Sequence, residues 1–140
     1  ADALAYVPEE KADLILLDAP CTATGTMRRH PDVAHLKKPD DMTRMCGLQA
    51  KLLTRASTCL LKEGGTLIYA VCSLQAEEGE HQVDAFLDAH PNFTRAPIDA
   101  ADIGGSAEMI TEKGDLRTLP SHWPDFGGLD GLYAARLTMK

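Results

Sequence analysis

The sequence predicts an α/β fold built on parallel strands, and three observations support this prediction. Residues 14–17 and 66–71 are short apolar runs without clear alternation, which is typical of strands covered on both faces of a parallel sheet. Between them, apolar residues recur at the three- and four-residue spacing of an amphipathic helix. Each run is followed by a cysteine, Cys21 or Cys72. Because ligands bind at the carboxyl ends of such strands, we expect both thiols and Asp18 to share one active site.

The first half of the chain is expected to form a strand, a long loop and a helix. The strand at 14–17 is followed by a loop at 18–38 that contains two prolines and a glycine. Loops of this length inside a compact domain usually carry function. Residues 39–41 (Pro-Asp-Asp) start the helix with acids at its positive end, and Gly64-Gly65 is a stop signal after it.

The second half begins with the strand at 66–71, which completes a strand–helix–strand unit. Ser73 or a neighbour is expected to cap a second helix, with Glu77 and Glu78 in its first turn and Pro91 after its end. The other predicted elements are a strand at 93–98, a loop at 99–115, and a closing antiparallel pair formed by 116–119 and 132–137.

Composition indicates one soluble domain. The chain has 140 residues and a net charge of −7, and this acidity weighs against a stand-alone nucleic-acid binder. There is neither a long apolar run nor a signal-peptide pattern, so we expect a cytoplasmic protein with no membrane span. The four cysteines lack zinc-ligand spacing, which argues against a metal site, and Cys46 and Cys59 fall on the helix stripe as expected packing residues. The basic residues gather near the first thiol: Arg28, Arg29, His30, His35, Lys37, Lys38 and Arg44.

Several short motifs carry a resemblance to a known family. Residues 18–21 read Asp-Ala-Pro-Cys, Gly25 and residues 28–32 (Arg-Arg-His-Pro-Asp) follow, and residues 72–74 read Cys-Ser-Leu. In this order, and with the tail at 130–137, they resemble the catalytic half of the Sun/nucleolar-protein family of RNA cytosine-5 methyltransferases, which includes the bacterial RsmB-like enzymes. The resemblance covers the chain from about residue 12 to its end. The departures from the family pattern are Thr22-Ala23, Ala70-Val71 and the acidic stretch 75–80.

The resemblance implies the C-terminal half of a Rossmann-like class I methyltransferase that uses S-adenosylmethionine. It implies an RNA substrate, ribosomal RNA more than transfer RNA. Cys72 would be the nucleophile that adds to carbon 6 of cytosine and so activates carbon 5. Cys21 would assist release of the product, with the two sulfur atoms gripping opposite sides of one pyrimidine. Asp18 would hold the base edge, and Asp18 and Pro20 would contact the cofactor.

Plainer explanations exist for each of these residues. Either cysteine could be a buried core thiol, and Asp18 could cap a turn before Pro20. Residues 28–30 (Arg-Arg-His) could be a solvated run or could contact phosphates of RNA. Trp123 and Phe126 could stack on a base or pack over the sheet. A non-catalytic RNA-binding module of the same fold is the alternative function.

Two features of a complete cofactor site are missing from the sequence. No glycine-rich turn follows the first strand, and no acidic residue ends a second strand where it could hold the ribose. By resemblance, residues 1–140 are a partial catalytic domain whose other strands precede Ala1. We therefore expect weak cofactor binding and little turnover by this chain alone. The strand at 14–17 would have an open edge through which two chains could dimerise.

Overall fold

A computed structural model describes residues 2–36 and 38–140. In these residues, five strands form one mixed sheet in the order β1-β2-β5-β3, and β4 also pairs with β5. The helices are α1 (Val33–Leu36), α2 (Pro39–Arg55), which continues into a π-helical turn (Ala56–Leu60), and α3 (Glu80–Ala89). The strands are β1 (Ala12–Asp18), β2 (Leu61–Val71), β3 (Phe93–Arg95), β4 (Leu116–Thr118) and β5 (Leu132–Met139).

The pairing of β1 with β2 sets the position of the two cysteine-bearing ends. The two strands are parallel, and Asp18 lies opposite Ala70 at their carboxyl ends. On the other side of β2, the antiparallel β5 places Tyr133 opposite Val71. The ends of β1 and β2 therefore meet the start of β5 at one edge of the sheet.

Helix α2 provides the crossover between the parallel strands and covers one face of the sheet. Its start matches the sequence prediction, with Pro39 in the first turn and Asp40 and Asp41 following it. Gln49 and Leu53 on its inner face are buried. The core beneath it combines residues from α2, α3 and the central strands: Leu53, Ala56, Leu61, Leu67, Tyr69, Val71, Val83, Phe86, Phe93, Tyr133, Ala135 and Leu137.

The prediction that β1 is covered on both faces is wrong. Leu14 and Leu16 are 60% and 66% exposed, while Ile15 and Leu17 pack against the core. The reason is that β1 lies at the end of the sheet order and its outer face carries no covering layer in the described part of the chain. The apolar run correctly predicts a strand that is suited to burial, but the described residues cover only one of its two faces.

Three boundaries differ from the sequence predictions. Strand β2 begins at Leu61, and Gly64-Gly65 form an irregularity inside it, with Gly64 at a φ of +73°, so they do not precede the strand. Helix α3 begins at Glu80, which leaves Glu77 and Glu78 in the preceding turn. Strand β3 has three residues where six were expected. The closing antiparallel pair, β4 with β5, is confirmed.

Candidate active site at the carboxyl ends of the parallel strands

The two cysteines predicted to share a site are in direct contact. Cys21 lies three residues after the end of β1, and Cys72 follows β2 immediately. Their Sγ atoms are 3.4 Å apart, and both side chains are partly buried. Cys21 also packs against the core cluster, so its contact with Cys72, 51 positions away in the chain, lies at the margin of the core. Cys46 and Cys59 are also only partly buried, and neither belongs to the core cluster.

Backbone hydrogen bonds hold the two cysteine segments together. The amide of Ala19 donates to the carbonyl of Ala70 at 2.9 Å, and the amide of Gly25 donates to the carbonyl of Cys72 at 3.0 Å. The amide of Gly131 donates to the carbonyl of Gly25 at 2.8 Å. A Cβ atom on Gly25 would lie 1.8 Å from the Gly131 carbonyl oxygen, so only glycine permits this approach. The loop after Cys21 is thus clamped between Cys72 and the start of β5.

Glu78 contacts the residues that follow the two cysteines, and the sequence analysis assigned it to a helix start. Its carboxylate is fully buried and accepts hydrogen bonds from Thr22, Ser73 and Gln49. Thr22 and Ser73 are the residues that follow the two cysteines. The only signal in the sequence is the acidic stretch at 75–80, and it does not distinguish a buried glutamate from exposed ones.

The surroundings of Cys21 disfavour its thiolate. Burial raises the pKa of the Cys21 thiol to about 12, a hydrogen bond at the Ala23 backbone opposes the rise, and the neighbouring Cys72 and Glu78 add to it. Cys21 therefore keeps its proton at neutral pH. A protonated thiol at this place can donate a hydrogen bond or a proton, whereas nucleophilic attack requires a thiolate.

Asp18 and Pro20 are exposed at the end of β1. The structure records no hydrogen-bond partner for the Asp18 carboxylate among the residues it describes, so the proposed cap of a turn is not observed. The expectation that the sulfur atoms grip opposite sides of a pyrimidine stays a prediction. Sulfur atoms on the two faces of a ring would be roughly 7 Å apart, twice the usual non-bonded contact distance. At 3.4 Å the two sulfur atoms touch each other, so binding a ring between them requires the side chains to separate.

Two of the basic residues near Cys21 already bind other residues of the chain. Arg29 pairs with Asp130 through two hydrogen bonds from Nε, at 3.0 and 2.8 Å, and Arg28 contacts Asp130 and the carbonyl of Gly127. The Arg28 side chain is still 37% exposed and that of Arg29 57%, and His30 is exposed. These residues tie the Cys21 loop to the segment before β5 and leave part of each cation open to solvent. Lys37, which was predicted to belong to this group, lies outside the described residues.

The loop aromatics do not cover the sheet. Phe126 is 86% exposed, and Trp123 is 40% exposed while its ring nitrogen donates to Ser106 at 3.1 Å. A recess of about 330 Å³ lies beside the Cys21 loop, between that loop and the start of α2, and Thr22, Thr24 and Gln75 contribute to its lining. The described residues contain no group of three or more His, Cys, Asp or Glu that could hold a metal ion.

The family model described as 16S rRNA methyltransferase RsmB/F matches residues 2–138. The chain belongs to this family. It is 42% identical over 128 residues to ribosomal RNA small subunit methyltransferase B of Thermus thermophilus, which covers 91% of this chain and 29% of that protein. It is 36% identical over 135 residues to the protein of the same name from Photorhabdus laumondii, which covers 96% of this chain and 28% of that protein. The chain thus spans less than a third of these relatives.

Two solved structures show the same fold. The structure of NSun6 from Pyrococcus horikoshii with SFG matches 99% of this chain and 33% of that one, with a TM-score of 0.75 and 25% identity. A methyltransferase homolog from Pyrococcus horikoshii matches 93% of this chain and 40% of that one, with a TM-score of 0.67 and 30% identity. These matches confirm the predicted family and the predicted Rossmann-like methyltransferase fold. In the described part of this RsmB/F chain, no helix has both the length and the apolar character that a membrane span requires.

Proposed function

We propose that this RsmB/F chain carries the thiol chemistry of an RNA methyltransferase that acts on carbon 5 of cytosine, with ribosomal RNA as the substrate. The observation that supports this most strongly is the 3.4 Å contact between Cys21 and Cys72 at the carboxyl ends of two parallel strands. An RNA-binding module has no use for two free thiols in contact. The names of the curated relatives favour ribosomal over transfer RNA.

In this proposal the Cys72 thiolate adds to carbon 6 of cytosine and forms a carbon–sulfur bond. N3 of the base takes up a proton and the electron pair makes carbon 5 nucleophilic, while Asp18 accepts hydrogen bonds from protonated N3 and the amino group. S-adenosylmethionine supplies the methyl group that carbon 5 accepts. A base then removes the proton from carbon 5, and Cys72 leaves as thiolate. Cys21, held protonated by burial, assists this release by donating a hydrogen bond to the departing Cys72 sulfur.

The described residues fit one edge of a cofactor site. Asp18 and Pro20 are exposed at the end of β1, within three residues of Cys21 in the chain, so a carboxylate and an apolar ring are available to a ligand there. The outer face of β1 is open, as shown by Leu14 and Leu16, so this chain encloses no cofactor on that side. The residues 1–140 are therefore proposed to be a partial catalytic domain that binds S-adenosylmethionine weakly by itself. Calorimetry on this chain tests the point, and micromolar affinity would contradict it.

The mechanism is tested by trapping with RNA that contains 5-fluorocytosine. Because fluorine cannot leave carbon 5 as a proton does, the adduct with the enzyme thiol persists. A full-length RsmB/F protein that contains this chain is expected to give a covalent complex, and Cys72→Ser is expected to abolish it. Cys21→Ser should retain the complex, and Cys46→Ser serves as the matched control at another free cysteine. A complex that survives in Cys72→Ser would refute the assignment of the nucleophile.

RNA contact by Arg28, Arg29 and His30 is also proposed, since part of each side chain remains exposed. Replacing both arginines by glutamine should weaken RNA binding and reduce the salt dependence of the affinity by about one to two phosphate contacts. Asp130→Asn is the control, because it releases the arginines from their carboxylate without removing their charge. If this variant binds as weakly as the double glutamine variant, the arginines act by holding the loop and not by contacting phosphate.

The open edge of β1 is proposed to pair two copies of this chain. The apolar residues beside it, Leu14, Leu16, Tyr6 and Val7, are 50–76% exposed. Unpaired edges of this kind template strand addition, and lysine is the usual protection against it. Sedimentation should show a dimer that Leu16→Lys converts to monomer, while Leu119→Lys on the far side of the sheet leaves it intact. A chain that is monomeric at all concentrations would refute the proposal.

A further inference from the structure

The buried carboxylate of Glu78 connects the two cysteine segments. It accepts hydrogen bonds from the Thr22 amide at 2.9 Å and from the Thr22 hydroxyl at 2.5 Å. It also accepts from the Ser73 hydroxyl at 2.5 Å and from the Gln49 amide at 3.1 Å. Thr22 and Ser73 directly follow the two cysteines in the sequence. One side chain thus binds the residue next to each thiol.

Four donors converging on Glu78 match the capacity of an ionised carboxylate, which has about four acceptor sites. Hydrogen bonds to a charged acceptor are stronger than those between neutral groups. All four donors are neutral, and no Lys, Arg or His ion pair to Glu78 is found among the described residues. A buried charge without a cation is costly, so stability alone is a poor reason for its presence.

The surroundings hold the Glu78 segment itself in place. The Tyr69 hydroxyl donates to the Glu78 carbonyl at 2.6 Å, and burial raises the pKa of Tyr69, which keeps that hydroxyl protonated. The Gln49 amide also donates to the Pro20 carbonyl at 2.9 Å. Because both neighbours of this amide nitrogen are acceptors, the orientation of the Gln49 side chain is defined. Glu78 is therefore anchored to β2 and α2, and both cysteine segments are anchored to Glu78.

We propose that Glu78 is a positioning residue that holds Cys21 and Cys72 at contact distance. The inference rests on the proposed function for its significance, but it concerns the geometry of the thiols and can be tested without RNA or cofactor. Without the carboxylate, the Thr22 amide and two hydroxyls would lose their common acceptor. The backbone bonds from Ala19 to Ala70 and from Gly25 to Cys72 would still join the two loops, but the residues next to the thiols would be held less closely. Displacements of about 1 Å between reacting groups can cost a factor of up to about one hundred in rate.

Oxidative cross-linking measures this distance in the chain. Hydrogen peroxide oxidises one thiol to a sulfenic acid and is reduced to water, and the second thiol then forms the disulfide and releases a second water. The 140-residue chain with Cys46→Ser and Cys59→Ser leaves only the pair of interest. Mass spectrometry follows intramolecular disulfide formation well below the unfolding temperature. The chain with Glu78 intact is expected to cross-link rapidly.

Glu78→Ala is expected to slow cross-linking by about tenfold or more. Glu78→Gln is expected to restore most of the rate, because its oxygen can accept from the Thr22 and Gln49 amides while its nitrogen donates to the two hydroxyls. Glu77→Ala removes an exposed carboxylate one residue away and should leave the rate unchanged. Loss of the negative charge would lower the pKa of Cys21 and by itself speed the reaction. Slower cross-linking in Glu78→Ala therefore reports position and not ionisation.

A folded Glu78→Ala chain that cross-links at the wild-type rate would overturn the proposal. If that variant does not fold, Thr22→Val decides, since it keeps the side-chain volume and removes the hydroxyl bond to Glu78. A several-fold slower rate in Thr22→Val supports positioning, and an unchanged rate overturns it. If Glu78→Ala only destabilised the fold and did not displace the thiols, its unfolding temperature would fall while the cross-linking rate of the folded chain stayed the same. Failure of the 5-fluorocytosine trap would refute the function and leave this result unaffected.

Discussion

The contact between Gly25 and Gly131 gives the sharpest stability prediction for this RsmB/F chain. Gly25→Ala places a Cβ atom 1.8 Å from the Gly131 carbonyl oxygen, where ordinary contact begins at 3.4 Å. The two segments must therefore separate by 1.6 Å, the difference between these distances. The hydrogen bond from the Gly131 amide to the Gly25 carbonyl, now 2.8 Å, cannot survive such a shift.

The expected cost is the sum of overpacking and lost hydrogen bonds. Overpacking of a well-packed site costs about 1–3 kcal/mol. The bonds that join Gly25 to Gly131 and to Cys72 contribute about 1 kcal/mol each. Gly25→Ala should therefore lower the free energy of unfolding by about 3–5 kcal/mol, a large part of the stability of a small domain.

Urea unfolding of the 140-residue chain measures this change. With an m value of about 1.5 kcal/mol/M, the midpoint should fall by about 2–3 M. Gly47→Ala is the matched control, because Gly47 is an exposed residue in the interior of α2 and its Cβ would meet no atom within 4 Å. There the same substitution should stabilise by about 0.5–1 kcal/mol, since alanine favours the helix. A midpoint for Gly25→Ala within 0.3 M of the parent chain, by the same assumed slope of about 1.5 kcal/mol/M, would refute the reasoning.

Three further results are expected. At pH 8, iodoacetamide should alkylate Cys59 at least about tenfold faster than Cys21, because a hydrogen bond from Thr58 lowers the pKa of Cys59 and burial raises that of Cys21. Asp130→Asn should flatten the fall in stability below about pH 4, since Arg29 lowers the pKa of that carboxyl in the folded chain, and the stability it contributes disappears as pH falls through that value. Tyr69→Phe should cost about 1–2 kcal/mol, because it leaves the buried Glu78 carbonyl without its donor.

Each result has its own control. Mass spectrometry of both peptides in one sample compares the two thiols directly, and equal rates would contradict the pKa difference. Asp125→Asn removes another exposed carboxylate of the same segment and should leave the acid limb of the stability curve unchanged. Tyr6→Phe, at a half-exposed tyrosine, should alter the urea midpoint by less than about 0.3 M, given surface effects within about 0.5 kcal/mol. If Tyr69→Phe shifts the urea midpoint by no more than about 0.3 M, the Tyr69 hydroxyl does not support Glu78.

Sequence patterns alone predicted the elements whose signals are local. The apolar run 14–17, the stripe of α2 and the acids at its start depend on neighbouring residues, and all three occur in the structure. The order of the motifs predicted the family. The position of each cysteine after a parallel strand predicted that Cys21 and Cys72 lie together. That meeting follows from topology, because parallel neighbours end at the same edge of a sheet.

Contacts between distant segments decided the rest. The burial of Glu78, the clamp between Gly25 and Gly131 and the pairing of Arg29 with Asp130 join residues that lie up to 106 positions apart, from 25 to 131. No local pattern distinguishes a glutamate that will be buried from one that will be solvated. The exposed face of β1 shows the same limit, since an apolar strand is buried only where another layer covers it, and that layer is a property of the assembled fold.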